Sequence, residues 1–319
     1  MFNPPLETME NFGVIVICCD QDYALAKGVC ASIRYFLGDV AIALLVDGDF
    51  SVQDAIDAYG VQVISRKTMK HEVLIQRSFG WGTTRMIAFW ESPFEHFLIV
   101  DADVAIWGDV RRYAQFDQYD LIIDQPTAPY TEAMVQEFFF DLPRFESLFP
   151  HFQWRDRPFV CPAVIFGTRG IFPLEEYLEI LDLNDQYPGM FKYGDMGFLN
   201  FMIFRAADEG RLRLGQRDIQ YLVCDFPPAE TAARFPVTAE GPQAQGEDAV
   251  VIHWAAEKPR ITSTSLYAAP MNFFRRQFLQ DATGKTGAMA TMTLQLEDLQ
   301  SRFWVYKNKA RKKIKALLH

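Results

Sequence analysis

Apolar residues fill consecutive positions from Phe12 to Cys19, the pattern of a strand covered on both faces by helices. Behind it, Leu25, Val29, Ile33 and Phe36 recur at steps of three and four, which predicts a helix from about Asp22 to Phe36 with one apolar face. Ala41 to Val46 and Val61 to Ser65 read as further strands, separated by a helix over Val52 to Tyr59. Thr84 to Trp90 has helical spacing, and Pro93, which offers no backbone donor, ends it before the strand Phe97 to Val100. This alternation predicts an α/β fold, an open, doubly wound sheet with helices on both faces. Such sheets bind ligands at the carboxyl ends of their strands.

Past a strand over Tyr119 to Ile123 the pattern is less regular. Phe159 to Phe166 is predicted to be a strand, Pro173 to Leu183 and Asp195 to Ala207 helices, and Gln220 to Cys224 and Ala249 to Ile252 strands. Phe226 to Asp248, rich in Pro, Ala, Gly and Glu, and Asp281 to Ala290 read as long loops. From Leu294 to Leu318 there is neither Pro nor Gly, and Phe303, Tyr306, Ala310, Ile314 and Leu317 repeat at helical steps.

Composition narrows the class. Half of the 319 residues are hydrophobic, enough for a packed core, and no apolar run has membrane length, so a disordered or membrane-spanning chain is not expected. The net charge of -10 argues against a nucleic-acid partner, which needs basic surface to neutralise phosphates. Seven basic residues and no acid lie from Arg302 onward, leaving 24 basic against 41 acidic residues in the rest. The tail is therefore a separate electrostatic object: a solvated helix packed by one stripe, or a basic amphipathic helix that lies on an anionic membrane surface. The five cysteines form no Cys-x-x-Cys pair, which points to a reducing, cytoplasmic setting. The acidic first eleven residues do not read as a signal peptide.

Two carboxylates one residue apart project from the same face of an extended segment and can be offered to one divalent cation. Three such pairs occur: Asp20/Asp22, Asp47/Asp49 and Asp101/Asp103. The first two read as polar residues at strand-to-loop junctions. The third stands between Phe-Leu-Ile-Val and Val104-Ala105-Ile106-Trp107, where charges must be paired or metal-bound to offset their desolvation. Asp101 and Asp103 are thus candidate metal ligands. His253 ends the apolar strand Ala249 to Ile252 and precedes Lys258-Pro259-Arg260. Alone it reads as an ordinary hydrogen-bonded residue; beside the two aspartates it would complete a Mn²⁺ site, with Lys258 against a phosphate. Gly284-Lys285-Thr286 lacks the earlier glycine and the leading strand of a phosphate loop.

Several segments together resemble the glycogenin-like nucleotide-sugar glycosyltransferases of the GT-A type. They are Cys18-Cys19-Asp20-Gln21-Asp22-Tyr23 with Ser32 nine residues after the Tyr, Arg85 sixteen residues before Asp101, Phe97 to Asp103, Gly194 to Asn200, and Val251-Ile252-His253 with Lys258-Pro259. The matches keep the family's order from about residue 13 to 260. The resemblance implies a GT-A type, Rossmann-like nucleotide-binding half over about 12–125, an irregular acceptor-side half over about 126–260, a linker with a helical segment over 261–290 and a basic helix over 291–319. It further implies Asp101, Asp103 and His253 on Mn²⁺ or Mg²⁺, and Asp20 and Tyr23 at the nucleotide. Arg85 and Lys258 would meet the diphosphate, and Asp195 the donor sugar. The activity implied is transfer of a sugar, with retention, from a nucleoside-diphosphate sugar to a saccharide, lipid-linked or protein acceptor, as in surface glycan or glycolipid synthesis. Three departures from the family pattern stand out: Met196 for a Gln, Cys161-Pro162-Ala163 for an Asn-Ser-Gly-like sugar contact, and Arg260 for a Trp after a shortened step from His253 to Lys258. Two rival readings share these residues. Haloacid-dehalogenase-like Mg²⁺ phosphatases also use Asp-x-Asp with a later Gly-Asp, and a nucleotide-sugar-binding protein without turnover would keep the same pocket.

Overall fold

The structure is a computed structural model that describes residues 11–80, 82–126, 128–155, 157–246 and 248–317, with side chains as far as 303. β1 (Phe12–Cys19), α1 (Tyr23–Leu37), β2 (Ala41–Asp47), α2 (Gln53–Tyr59) and β3 (Gln62–Ile64) lie where the alternation of pattern predicts them. α3 (Glu72–Arg77), a 3-10 turn over Thr84–Ile87 and α4 (Ala88–Glu91) lead to β4 (His96–Val100) and β5 (Val104–Trp107). β6 (Leu121–Asp124), α5 (Glu132–Phe138), α6 (Leu142–Leu148), β7 (Val164–Thr168), α7 (Leu174–Gln186) and α8 (Asp195–Asp208) follow. Next come β8 (Leu214–Arg217), β9 (Gln220–Leu222), α9 (Pro228–Arg234), β10 (Val237–Thr238), β11 (Gly241–Pro242), β12 (Val250–His253), α10 (Ala269–Thr283) and α11 (Gly287–Leu317).

Seven strands form the main sheet in the order β3-β2-β1-β4-β7-β6-β8, in which β7 runs antiparallel to both neighbours and β6 parallel to β8. A separate three-stranded sheet has the order β5-β12-β9. Two compact units result. One comprises Met1–Ile15, Val63–Val100 and Arg111–Gln220; the other comprises Val16–Gln62, Asp101–Val110 and Tyr221–His319.

In the first unit an aromatic cluster fills the space beside α6 and α8, with Phe140 stacked on Phe145 at 4.1 Å and Phe149 tilted against Phe201 at 4.6 Å. The predicted strand from Phe159 is shorter than its hydrophobicity implies, because β7 begins only at Val164. Pro158 and Pro162 supply no donors to a ladder, and the side chain of Asn200 takes the place of a neighbouring strand. Val160 N donates to Asn200 Oδ1 at 3.0 Å, and Asn200 Nδ2 donates back to Val160 O at 2.9 Å.

The second unit packs α1 against β5 and α10. Leu25, Val29 and Ile33 are buried on α1 as their spacing requires, and Ser32 Oγ accepts from Ile106 N at 3.0 Å. Gly28 permits close helix contact: a Cβ there would stand 2.6 Å from Met271 Sδ. Both predicted long loops contain structure. Pro228, fixed in φ and lacking N–H, starts α9, and Phe235 just after it is fully buried against Trp107 at 5.3 Å and Tyr221 at 4.8 Å. Val237↔Pro242 and Thr238↔Gly241 pair as a short hairpin. The other loop shrinks to residues 284–286, since α10 runs to Thr283 and Gly284, at φ +69°, donates its N–H to Gln280 O at 2.8 Å. Strand Gln220–Cys224 is likewise cut short by a 3-10 turn over Val223–Asp225.

The tail helix begins earlier than its lack of Gly and Pro predicts, and its first half is docked. Ala290 and Leu294 are buried with Leu279, and Ile261 packs beside them. Tyr306, Ala310, Ile314 and Leu317, four of the five positions of the predicted stripe, have side chains outside the described residues. Among the described residues no helix is long and apolar enough to cross a membrane.

Replacing Asn200 with Leu keeps the volume but strips Val160 of both partners, each loss costing about 1–3 kcal/mol. Urea unfolding is expected to show a stability loss of roughly 2–4 kcal/mol.

Candidate active site

Between β4 and β5 the chain turns through Asp101, Ala102 and Asp103. β5 pairs antiparallel with β12 in a register that sets Val104 opposite His253, Ala105 opposite Ile252 and Ile106 opposite Val251. The imidazole at the end of β12 is thereby delivered beside the carboxylate that precedes β5, and Trp254 N donates to Asp103 O at 3.0 Å. Gly108 makes the approach possible at the other end of the pair. At φ +76°, a Cβ there would lie 2.3 Å from Asp248 O.

Asp103 and His253 are 5% and 3% exposed, and His253 Nε2 stands 3.7 Å from Asp103 Oδ1. One ligand atom from each of Asp101, Asp103 and His253 lies within 4.8 Å of the others. Two ligands about 2.1 Å from one ion stand roughly 3–4 Å apart, so a small closure fits the three around a cation. Two carboxylates and an imidazole suit Mn²⁺ or a similar divalent ion. The donor set and its spacing therefore fit the expected metal.

Lys258 Nζ donates to Asp103 Oδ2. Burial pushes the Asp103 carboxyl up, but His253 and Lys258 outweigh it and hold the group below the usual carboxylate range. Burial likewise opposes the charge on Lys258, yet Asp103, with Asp101 and Asp22 behind it, raises its pKa above the ordinary value. Asp22, read from sequence as a junction residue, belongs to this group. Its Oδ1 accepts from Cys19 N at 2.6 Å, and burial, opposed by that hydrogen bond, lifts its pKa to about 6, with Asp103 adding to the rise and Lys258 lowering it.

One residue further, Tyr23 opens α1, its hydroxyl donating to Asp54 and its ring against Phe50 at 5.4 Å. Asp20 and Tyr23 line a cleft of about 760 Å³ whose other lining residues include Lys27, Glu297 and Gln300. Asp54 and Glu297 carried no recognisable sequence signal, because each matters only through a distant partner. Asp22 had one, the second member of an Asp-x-Asp at the start of a helix.

Arg85 and Asp195 lie in the other unit and meet there. Arg85, 7% exposed, donates from Nε to Asp195 Oδ2 at 2.8 Å and from Nη1 to Pro162 O. That carbonyl belongs to the Cys161-Pro162-Ala163 segment that departs from the family pattern. The pair depends on two glycines in contact, since a Cβ on Gly194 would lie 2.6 Å from Gly82 Cα. Asp195 stands in the first turn of α8, where a carboxylate is favoured by the helix dipole. Tyr193 just before it adopts φ +46°.

No protein-family model and no curated protein matches the sequence. Solved structures do match its fold. The galactosyltransferase LgtC, in complex with donor and acceptor sugar analogs, aligns over 86% of this chain and 97% of its own with a TM-score of 0.52 at 12% identity. The glycosyltransferase GlyE of Streptococcus pneumoniae TIGR4 aligns over 93% of this chain and 64% of its own with a TM-score of 0.51 at 11% identity. The chain thus has the mixed α/β fold of GT-A glycosyltransferases.

Substituting Asp103 with Asn keeps its shape and removes its charge. Calorimetric titration is expected to show Mn²⁺ affinity falling by about tenfold or more, and an unchanged isotherm would take Asp103 out of the cluster.

Proposed function

We propose that the protein is a metal-dependent glycosyltransferase that moves a sugar from a nucleoside-diphosphate sugar to an acceptor, with retention. The observation that carries this reading is the convergence of Asp101, Asp103 and His253, with Lys258 on Asp103, at the β5–β12 edge. The fold shared with LgtC and GlyE supports it, and so do the donor and acceptor sugar analogs that LgtC binds.

A divalent cation at the triad would neutralise the charge that builds on the diphosphate as the bond to the sugar breaks. This chain's residues supply the remaining work. Lys258 exchanges part of its contact with Asp103 for charge-assisted hydrogen bonds to phosphate oxygens. Tyr23, its ring fixed by Phe50 and its hydroxyl by Asp54, offers a face to the base, and Asp20 accepts from the nucleoside. Asp195, oriented by Arg85, accepts from donor hydroxyls and stabilises positive charge at the anomeric carbon, while Arg85 adds its own charge toward the diphosphate.

Incubation with a panel of UDP- and GDP-sugars and Mn²⁺ tests the reading. Free nucleoside diphosphate is the expected product; inorganic phosphate alone would indicate a phosphatase, and binding without product an inactive binding protein. Asp195→Asn is expected to lower turnover by about 10²-fold while leaving Mn²⁺ affinity unchanged.

The acceptor is lipid-linked in this reading, and the tail brings the enzyme to it at the inner face of a membrane. Met289, Met292 and Leu296, each about 60% exposed on α11, precede the seven basic residues of the tail. Sedimentation with vesicles containing anionic lipid is expected to carry the chain down, and Met292→Asp with Leu296→Asp to leave it in the supernatant. Equal sedimentation of both would take Met292 and Leu296 out of membrane binding.

A further inference from the structure

Resting on the donor-site reading above, we infer that residues 297–303 of α11 form the outer wall of the nucleoside pocket, so that the C-terminal helix is a working part of donor recognition. The ligand class is the nucleoside portion of a nucleoside diphosphate.

The cleft beside Tyr23 has two sides. Asp20, Tyr23 and Lys27 line one, from the corner between β1 and α1; Glu297, Gln300 and Phe303 line the other, from α11. Its volume of about 760 Å³ falls within the range of small-molecule sites, roughly 300–1,000 Å³. It opens at the carboxyl end of β1, where open α/β sheets take their ligands. The same corner adjoins the metal cluster, because Asp22, between Asp20 and Tyr23, interacts electrostatically with both Asp103 and Lys258. A diphosphate held at the cluster would therefore have its nucleoside next to this cleft.

The wall is anchored, not apposed. Glu297 accepts from Lys27 Nζ at 2.5 Å and from Arg275 Nη2 at 3.0 Å. Arg275, 1% exposed, also stands 2.8 Å from Asp298 Oδ1, and Asp298 Oδ2 accepts from Ile261 N at 2.9 Å. Lys27 in turn lies 3.6 Å from Asp54, the acceptor of the Tyr23 hydroxyl. One chain of charges thus links the aromatic face on α1 to the helix opposite. The chemistry of the two sides matches a nucleoside: aromatic rings on both sides for a base, as stacking requires, and the amide of Gln300, with donors and an acceptor, for the polar edge of a base or the ribose hydroxyls.

The test uses the full chain carrying Gln300→Ala with Phe303→Ala, both exposed positions outside the packed stripe, and Gln295→Ala, exposed on the same helix but not in the cleft, as control. Calorimetry with Mn²⁺ compares UDP, GDP and ADP with inorganic pyrophosphate, which has no nucleoside. The expected result is a loss of at least tenfold in affinity for the preferred nucleoside diphosphate in the double variant, with pyrophosphate affinity unchanged and the control like wild type. Wild-type affinity for the nucleotide in the double variant would overturn the role of α11 while the donor site stands. Failure of the unmodified protein to bind any of the three nucleotides would overturn both together.

Discussion

A buried carboxylate sets the terms for the second unit. Asp103 cannot keep its charge under β5 without compensation, because the loss of hydration costs several kcal/mol. The compensation comes from about 150 residues further along the chain, as His253 and Lys258. The pairing of β5 with β12 is what makes that delivery dependable, since a slip of one residue would turn every side chain of β12 to the opposite face. The glycine at 108, where a Cβ would lie 2.3 Å from the carbonyl oxygen of Asp248, protects that register. The contact that makes the carboxylate tolerable thus also gathers an imidazole and an ammonium around it.

The same logic recurs around Arg275, whose guanidinium is almost wholly enclosed. Its Nη2 is hydrogen-bonded to Glu297, whereas Nη1 faces Asp298 as an ion pair without the alignment of a hydrogen bond. Losing one partner from such a network leaves a buried charge uncompensated, which is far more costly than an exposed ion pair is worth. The buried Leu294 and Ala290 fix the height of α11 on the unit, and the charges fix its rotation. A helix that looks from its composition like a solvated basic tail is, over its first half, part of the packed structure.

In the other unit the pairing of Arg85 with Asp195 is a positional device of a different kind. The guanidinium spans a carboxylate at the start of α8 and a carbonyl in the turn before β7, so one side chain sets the distance between two segments. Backbone contact between Gly82 and Gly194 leaves no room for a side chain on either, and Tyr193 bears a left-handed conformation beside them. Strain of this kind persists only where surrounding contacts enforce it, and it collects at places where geometry matters.

Much of this was legible in the chain itself. Consecutive apolar runs marked β1, β2 and β4, and the three-and-four spacing marked α1, because burial on two faces or one leaves a periodic trace. The Asp-x-Asp between apolar runs marked the metal candidates, since charge in that setting needs a reason. What local pattern could not supply was anything decided by partners remote in sequence. Prolines and the amide of Asn200 shortened β7, a single buried Phe235 organised a stretch that composition presents as loop, and Asp22, Asp54 and Glu297 took their places through Asp103, Tyr23 and Lys27. Periodicity records which face of an element is buried; it holds no record of what lies on the other side, and that was settled only when the chain closed on itself.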